Sequence, residues 1–151
     1  MYFLELYTLG LPLVLNFYTI IMLLIGVISG IFIGALPGLT ATMSVAVMTP
    51  LTFGLNSHTA FALLLGAYCG GIYGGSITAV LAKIPGTPAA MMTTLDGYPM
   101  GQKGQAGKAI GIATVASFIG GLVSVFILSI FAPAIAKIAL EFSAQEYFSI
   151  G

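Results

Sequence analysis

Residues 16–37, NFYTIIMLLIGVISGIFIGALP, contain no charged side chain. A helix of about 20 apolar residues matches the hydrocarbon thickness of a bilayer. Inside that layer no water is available to the backbone, so a helix is the form such a run takes. Thr59–Ala82 and Ile110–Ala132 are two further runs of this length, while Leu39–Phe53 is shorter and carries Thr40, Thr42, Ser44, Thr49 and Pro50. The short run reads as a short span or as half of a re-entrant hairpin hinged at Pro37-Gly38. The expected fold class is all-α: a polytopic membrane protein with three to four transmembrane helices, Pro-Gly-broken or re-entrant segments and no soluble domain.

Composition closes the soluble alternatives. Charged residues are 5% of the 151 and hydrophobic residues 59%, whereas a soluble domain carries about 25% charged residues. Net charge is zero and Arg is absent, so no basic field attracts nucleic acid. Cys69 is the sole cysteine and His58 the sole histidine, which excludes an internal disulfide and argues against a metal centre. Trp is absent, so an interfacial aromatic belt falls to Tyr and Phe, with Tyr2, Phe3, Tyr7, Phe17 and Tyr18 at one end and Phe142, Tyr147 and Phe148 at the other. The N-terminus lacks a basic region and a small-residue cleavage site, so no cleaved signal peptide is read.

Pro85–Lys108 reads as the one extended polar connection. Asp96-Gly97 would open a turn there, Tyr98-Pro99 would keep the chain extended, and Asp96 would cap backbone amides. Lys83, Lys103 and Lys108 flank or lie in it, which by the positive-inside rule places it in the cytoplasm. Pro133 is expected to interrupt the last run, Lys137–Glu146 to be an aqueous connection, and Tyr147–Gly151 to open a further helix.

Glycine spacing is the most informative local pattern. Gly26, Gly30, Gly34 and Gly38 recur at every fourth position, as do Gly66, Gly70 and Gly74, with Gly71 and Gly75 forming an adjacent track. Each set makes a groove on one helix face that lets another helix approach closely. Tight packing and a substrate path bordered by bare backbone are both compatible with it. The stretch YCGGIYGGSIT (68–78) makes a poor lipid-facing helix and is expected to be buried or locally unwound, with Tyr68, Tyr73 and Ser76 nearest a polar ligand.

Two breaks echo each other as P-G-x-x-A-x-M, at 37–43 and 85–91. Proline removes a donor and disfavours helix in the residue before it, while glycine tolerates positive φ. A helix restarting after such a break offers N–H groups and a positive dipole end to a carboxylate. Thr40, Thr42 and Ser44 add hydroxyls at the first break, and Thr87, Thr93 and Thr94 at the second. Broken helices in paired positions point to transporter binding sites, although an ordinary turn accounts for either break alone. Enzymatic patterns are missing: QKGQAGKA (102–109) lacks the first glycine and the terminal Ser/Thr of a phosphate loop, and no serine sits in a G-x-S-x-G elbow.

GALPGLTATMSVAVMTPLTFGL (34–55), GAYCGGIYGGSITAVLAKIPGTPAAMMTTLDGYPMGQKGQAGKAIG (66–111) and ASFIGG (116–121) resemble the large permease subunit of tripartite tricarboxylate transporters. The resemblance implies ion-gradient-driven uptake of tricarboxylates or related carboxylates across the bacterial inner membrane, coupled to Na⁺ or H⁺ and without an enzymatic cofactor. It implies a small membrane subunit and a periplasmic solute-binding protein as partners. It places the substrate path at Gly34, Pro37, Gly38 and Thr40, at Tyr73, Gly74, Gly75, Ser76 and Thr78, and at Pro85, Gly86 and Thr87. Such permeases are several-fold longer, so 1–151 is read as an incomplete N-terminal transmembrane portion, to which a second chain could supply the missing helices. The alternative is a membrane packing or assembly subunit without transport of its own. Lys83 stands where similar sequences carry an uncharged polar residue, and is expected to snorkel to the interface.

Overall fold

A computed structural model describes residues 10–141, leaving aside the side chains of residues 89, 133–134 and 137–141. The expected aromatic belt residues Tyr2, Phe3, Tyr7, Phe142, Tyr147 and Phe148, and the further helix at Tyr147–Gly151, lie outside the described residues. Those described are helical and contain no strand. Five helices are labelled here: α1 Phe17–Gly34, α2 Ala41–Met48, α3 Ser57–Ala82, α4 Met91–Gln102 and α5 Ala106–Glu141. Short 3₁₀ turns at Thr49–Thr52 and Pro88–Ala90 extend α2 and precede α4. Helices α1, α3 and α5 are each long and apolar enough to cross a membrane.

The ends of α1 follow from its sequence. The Asn16 side chain accepts a hydrogen bond from the Tyr18 amide, satisfying one donor that the first turn leaves free. At the other end the helix stops at Gly34, and Gly38 takes a φ of +89°. The Pro37-Gly38 break is therefore present. With 18 residues, α1 is about 27 Å long at 1.5 Å per residue.

Glycine grooves join α1 to α3 backbone to backbone. A Cβ added at Gly30 would fall 2.9 Å from the Ala67 Cα, one at Gly34 2.8 Å from the Gly71 Cα, and one at Gly74 2.7 Å from the Ala35 amide nitrogen. Nearer their starts, the hydroxyls of Thr19 and Thr59 meet at 3.3 Å, both fully buried. Paired positions rise together along both helices, so α1 and α3 run parallel. The intervening chain must then return across the same thickness. Leu39–Phe53 is accordingly a crossing leg: α2 begins beside Gly71 and continues past Ser29, whose hydroxyl reaches the Met48 sulfur at 3.5 Å. Because α2 leans on bare glycine, Ser44 is fully buried there and its hydroxyl has no hydrogen-bond partner among the described residues. Leaving a buried hydroxyl unpaired costs about 1–3 kcal/mol. Ser44→Ala is therefore expected to raise the unfolding temperature in detergent, and a fall would show that the hydroxyl is bonded.

YCGGIYGGSIT takes the buried-helix form, lying wholly within α3 with Gly70, Gly71, Gly74, Gly75 and Thr78 buried. Other expectations need correction. Pro85–Lys108 is not an extended loop, since it contains a 3₁₀ turn and the whole of α4. Asp96-Gly97-Tyr98-Pro99 is helical, because Gly97 and Gly101, four apart on one face, let α4 lie against Val80 of α3. Asp96 therefore caps nothing. Finally, α5 continues through position 133 to Glu141, so Pro133 does not end it and Lys137–Glu141 is helix rather than connection. Membrane helices tolerate an internal proline where neighbouring groups take over the freed carbonyl.

The chain divides into two compact units, residues 1–113 and 114–151. In the first, α1, α2, α3 and α4 pack together, and the unit extends to Ala113 in the opening turns of α5. In the second, the α5 side chains described are exposed or half-buried, a long apolar surface that includes Phe118, Leu122 and Phe126.

Candidate functional site

After α3 the chain doubles back. Lys83 ends the helix with a φ of 59°, a left-handed conformation costly for a residue with a Cβ, and the Ile84 amide donates to the Thr78 carbonyl at 3.4 Å. The chain then re-enters alongside α3, until a Cβ on Gly86 would lie 2.7 Å from the Gly75 Cα. From Ala82 to Gly75 is seven residues, about 10 Å of helix. Then α4 returns toward Val80, and the Lys83 ammonium stands 5.6 Å from the centre of the Tyr98 ring, within cation–π range. The Pro85-Gly86 break is thus the tip of a re-entrant hairpin.

That tip meets the first break. The same added Cβ on Gly86 would lie 3.3 Å from the Gly34 carbonyl oxygen and 3.5 Å from that of Leu39. Two helix starts consequently border one cavity of about 380 Å³, lined by Thr40, Ala41, Thr42, Tyr68, Ile72, Thr87 and Pro88. Thr40 caps α2, its hydroxyl accepting from the Met43 amide at 3.4 Å. Thr87 caps the 3₁₀ turn before α4, accepting from the Ala90 amide at 3.3 Å. Both caps are extended in backbone, as a residue just outside a helix should be. In the P-G-x-x-A-x-M echo, Thr40 aligns with Pro88 rather than Thr87, so the two caps are offset by one position.

The first residues of such helices carry N–H groups without a helical acceptor. Among the described residues no Lys or Arg lines the cavity. What it offers an anion is backbone N–H, the two dipole ends, the Thr42 hydroxyl and the exposed Tyr68. The Thr40 and Thr42 hydroxyls also bond each other at 2.6 Å.

The residues singled out in the sequence divide into four groups. Thr40 and Thr87 line the cavity. Gly34, Gly75 and Gly86 form the junction behind it, and Gly74 packs on α1. Pro37 and Gly38 are exposed at the break, with Pro85 half-buried at the other. Ser76 and Thr78 hydroxyls bond the Ile72 and Gly75 carbonyls within α3, at 3.3 and 3.0 Å, and with Tyr73 they stand outside the cavity lining. Ser44 faces Gly71 rather than the cavity. Ile72, four residues after Tyr68, was not anticipated as a wall; the shared helix face was the available signal.

Parallel helices joined through glycine, among three long and apolar enough to span, define an all-α polytopic membrane protein. Residues 20–151 match the Tripartite tricarboxylate transporter TctA family, and the chain belongs to it. It is also 40% identical over 143 residues to an uncharacterized 52.8 kDa protein of the TAR-I ttuC′ 3′ region of Agrobacterium vitis. The match covers 95% of this chain and 28% of that relative, so the chain spans little more than a quarter of the curated relative's length. No solved structure matches.

Proposed function

We propose that this chain forms the substrate-binding half-helices of a permease for tricarboxylates or related carboxylates. The permease would drive uptake across the bacterial inner membrane with an ion gradient, and would work with a small membrane subunit and a periplasmic solute-binding protein. The observation that carries the reading is the meeting of two capped helix starts, Thr40 and Thr87, at one cavity without a fixed cation. Two N-termini suit a ligand with more than one carboxylate, each group taking one dipole end. Membership of a tricarboxylate transporter family supports the substrate class.

Citrate binding to the purified permease, by calorimetry, tests it. Thr40→Val and Thr87→Val each keep the side-chain shape and remove the hydroxyl. Each is expected to weaken binding by about threefold to tenfold, the equivalent of one neutral hydrogen bond of about 0.5–1.5 kcal/mol. Lys103→Ala, at an exposed position, should leave binding unchanged. A loss at Lys103, or at Ser76→Ala, with none at either threonine would move the site away from the two helix starts.

The orientation that places Lys83 and Lys103 in the cytoplasm makes a second expectation. In a Cys69-free background, Gln102→Cys should react with an impermeant thiol reagent only after the membrane is opened. Labelling from the periplasm would invert the topology.

A further inference from the structure

The crossing leg 39–53 keeps its hydrogen bonds to itself. Thr40 bonds Thr42, Thr49 donates to the Val45 carbonyl at 2.8 Å, and Thr52 donates to the Thr49 carbonyl at 2.6 Å. Among the described residues, and apart from the turn bonds at its ends, its one hydrogen bond to another segment comes from the Ser29 hydroxyl, which reaches the Met48 sulfur at 3.5 Å. A thioether is a weak acceptor, and Ser29 is held closer by the Ile25 carbonyl of its own helix, at 2.7 Å. Against α3 the leg meets bare backbone: a Cβ at Gly71 would fall 2.9 Å from the Ala41 Cα and 3.0 Å from the Ser44 hydroxyl. That hydroxyl is fully buried and unbonded among the described residues, so the seated position carries a desolvation cost that lifting the leg relieves. Two glycines bracket the leg. Gly38 has a φ of +89° and Gly54 a φ of +94°, and a Cβ added at either meets nothing within 4 Å. The chain can therefore turn at both without breaking a packing contact.

We infer that the leg is a strap that pivots at Gly38 and Gly54, seated on Gly71 in this structure and lifted from it in a second, less populated state. Hinges of this kind are a few residues at the ends of an element that absorb a large change in φ and ψ. Lifting breaks one weak sulfur contact and some apolar packing, and it lets the Ser44 hydroxyl meet water. The α1–α3 pair does not follow, because Gly30 and Gly34 join it backbone to backbone. Thr40, the capped helix start at the cavity, travels with the strap. Only the use of that movement in carboxylate binding rests on the proposed function; the pivot stands on the geometry.

The test is the reactivity of buried thiols toward N-ethylmaleimide in the full chain purified in detergent. In a Cys69-free background, Ser44→Cys, Thr19→Cys and Thr59→Cys each place a thiol at a fully buried position, the first on the strap and the others in the α1–α3 pair. A strap lifted in about 0.1–10% of molecules makes Ser44→Cys react at about that fraction of the rate of the exposed native Cys69, and about tenfold or more faster than either control. Gly54→Ala penalises the seated φ and should speed the reaction. Gly104→Ala, also at positive φ in open space but between α4 and α5, should not. Met48→Cys, buried at the other end of α2, is the second reporter and decides where Ser44→Cys does not fold by helical circular dichroism. Adding Ser44→Ala should slow its labelling about fivefold or more, since the seated strap then buries no unbonded hydroxyl. Strap thiols that react as slowly as the Thr19 and Thr59 controls, or at a rate that Gly54→Ala leaves unaltered, overturn the pivot. Citrate bridging Thr40 and Thr87 should hold the strap down and slow the labelling. A strap that lifts regardless of citrate keeps the pivot and sinks only the carboxylate reading.

Discussion

Gly30→Leu and Gly34→Ala are expected to prevent α1 from assembling against α3. The atoms that a new side chain would meet are backbone: the Ala67 Cα at 2.9 Å for Gly30 and the Gly71 Cα at 2.8 Å for Gly34. A side chain can change rotamer to make room, but a helix backbone can only move away. Inserting extra carbon into a packed interior costs about 1–3 kcal/mol when neighbours can adjust, and here the whole contact must open. The reciprocal change at Gly70, whose added Cβ would lie 3.0 Å from the Ile31 amide nitrogen, should behave alike. Gly107→Ala and Gly120→Ala are internal controls, since an added Cβ at either meets nothing within 4 Å. They should be neutral or stabilise the helix by about 0.5–1 kcal/mol. Thermal unfolding followed by size-exclusion profile in detergent separates the two groups. If Gly30→Leu and Gly70→Leu both assemble with unchanged midpoints, those faces meet lipid and the parallel arrangement of α1 and α3 is wrong.

The sequence made the spans legible because length and apolarity alone determine them. Asn16 before the first run and Gly38 after it marked boundaries that the structure places within a few residues. It also showed that Gly26, Gly30 and Gly34 would pack tightly, but not against what. A groove without side chains has no register and no direction, so the parallel pairing with Gly66, Gly70 and Gly74 could not be read from spacing. The hidden element was α4. Its signals conflicted: Asp-Gly and Tyr-Pro are turn-forming pairs, while Gly97 and Gly101 repeat the same four-residue spacing that marked α3. Packing on Val80 decided for helix. At the site, Thr40 and Thr87 could be singled out because a hydroxyl just after a Pro-Gly break is a natural cap. What could not be seen is that the second break folds back far enough to meet the first. Ser76 and Thr78 sit on the same glycine-rich run as Gly75, yet their hydroxyls are spent on carbonyls of their own helix.

That fold-back makes Gly86 the position where the smallest change should have the largest effect on binding. Gly86→Ala adds one carbon at 2.7 Å from the Gly75 Cα, flanked by the Gly34 and Leu39 carbonyl oxygens at 3.3 and 3.5 Å. All of these are backbone atoms of other segments, so the hairpin tip itself must withdraw. Thr87 is the next residue and caps the turn that opens α4, so withdrawal carries that helix start away from Thr40. A ligand bridging the two starts would lose one of its two anchors entirely. The expected loss of citrate affinity therefore exceeds the threefold to tenfold of Thr87→Val, reaching about a hundredfold if a charge-assisted contact of about 1.5–3 kcal/mol goes with it. The α1–α3 contact does not pass through Gly86, so the unfolding midpoint should fall far less than for Gly34→Ala. Calorimetric citrate titration and thermal unfolding of Gly86→Ala, measured side by side, check both halves. Full affinity in Gly86→Ala would mean that the hairpin tip takes no part in holding the substrate. Full affinity lost together with the fold would mean instead that the hairpin is a structural support for the α1–α3 core.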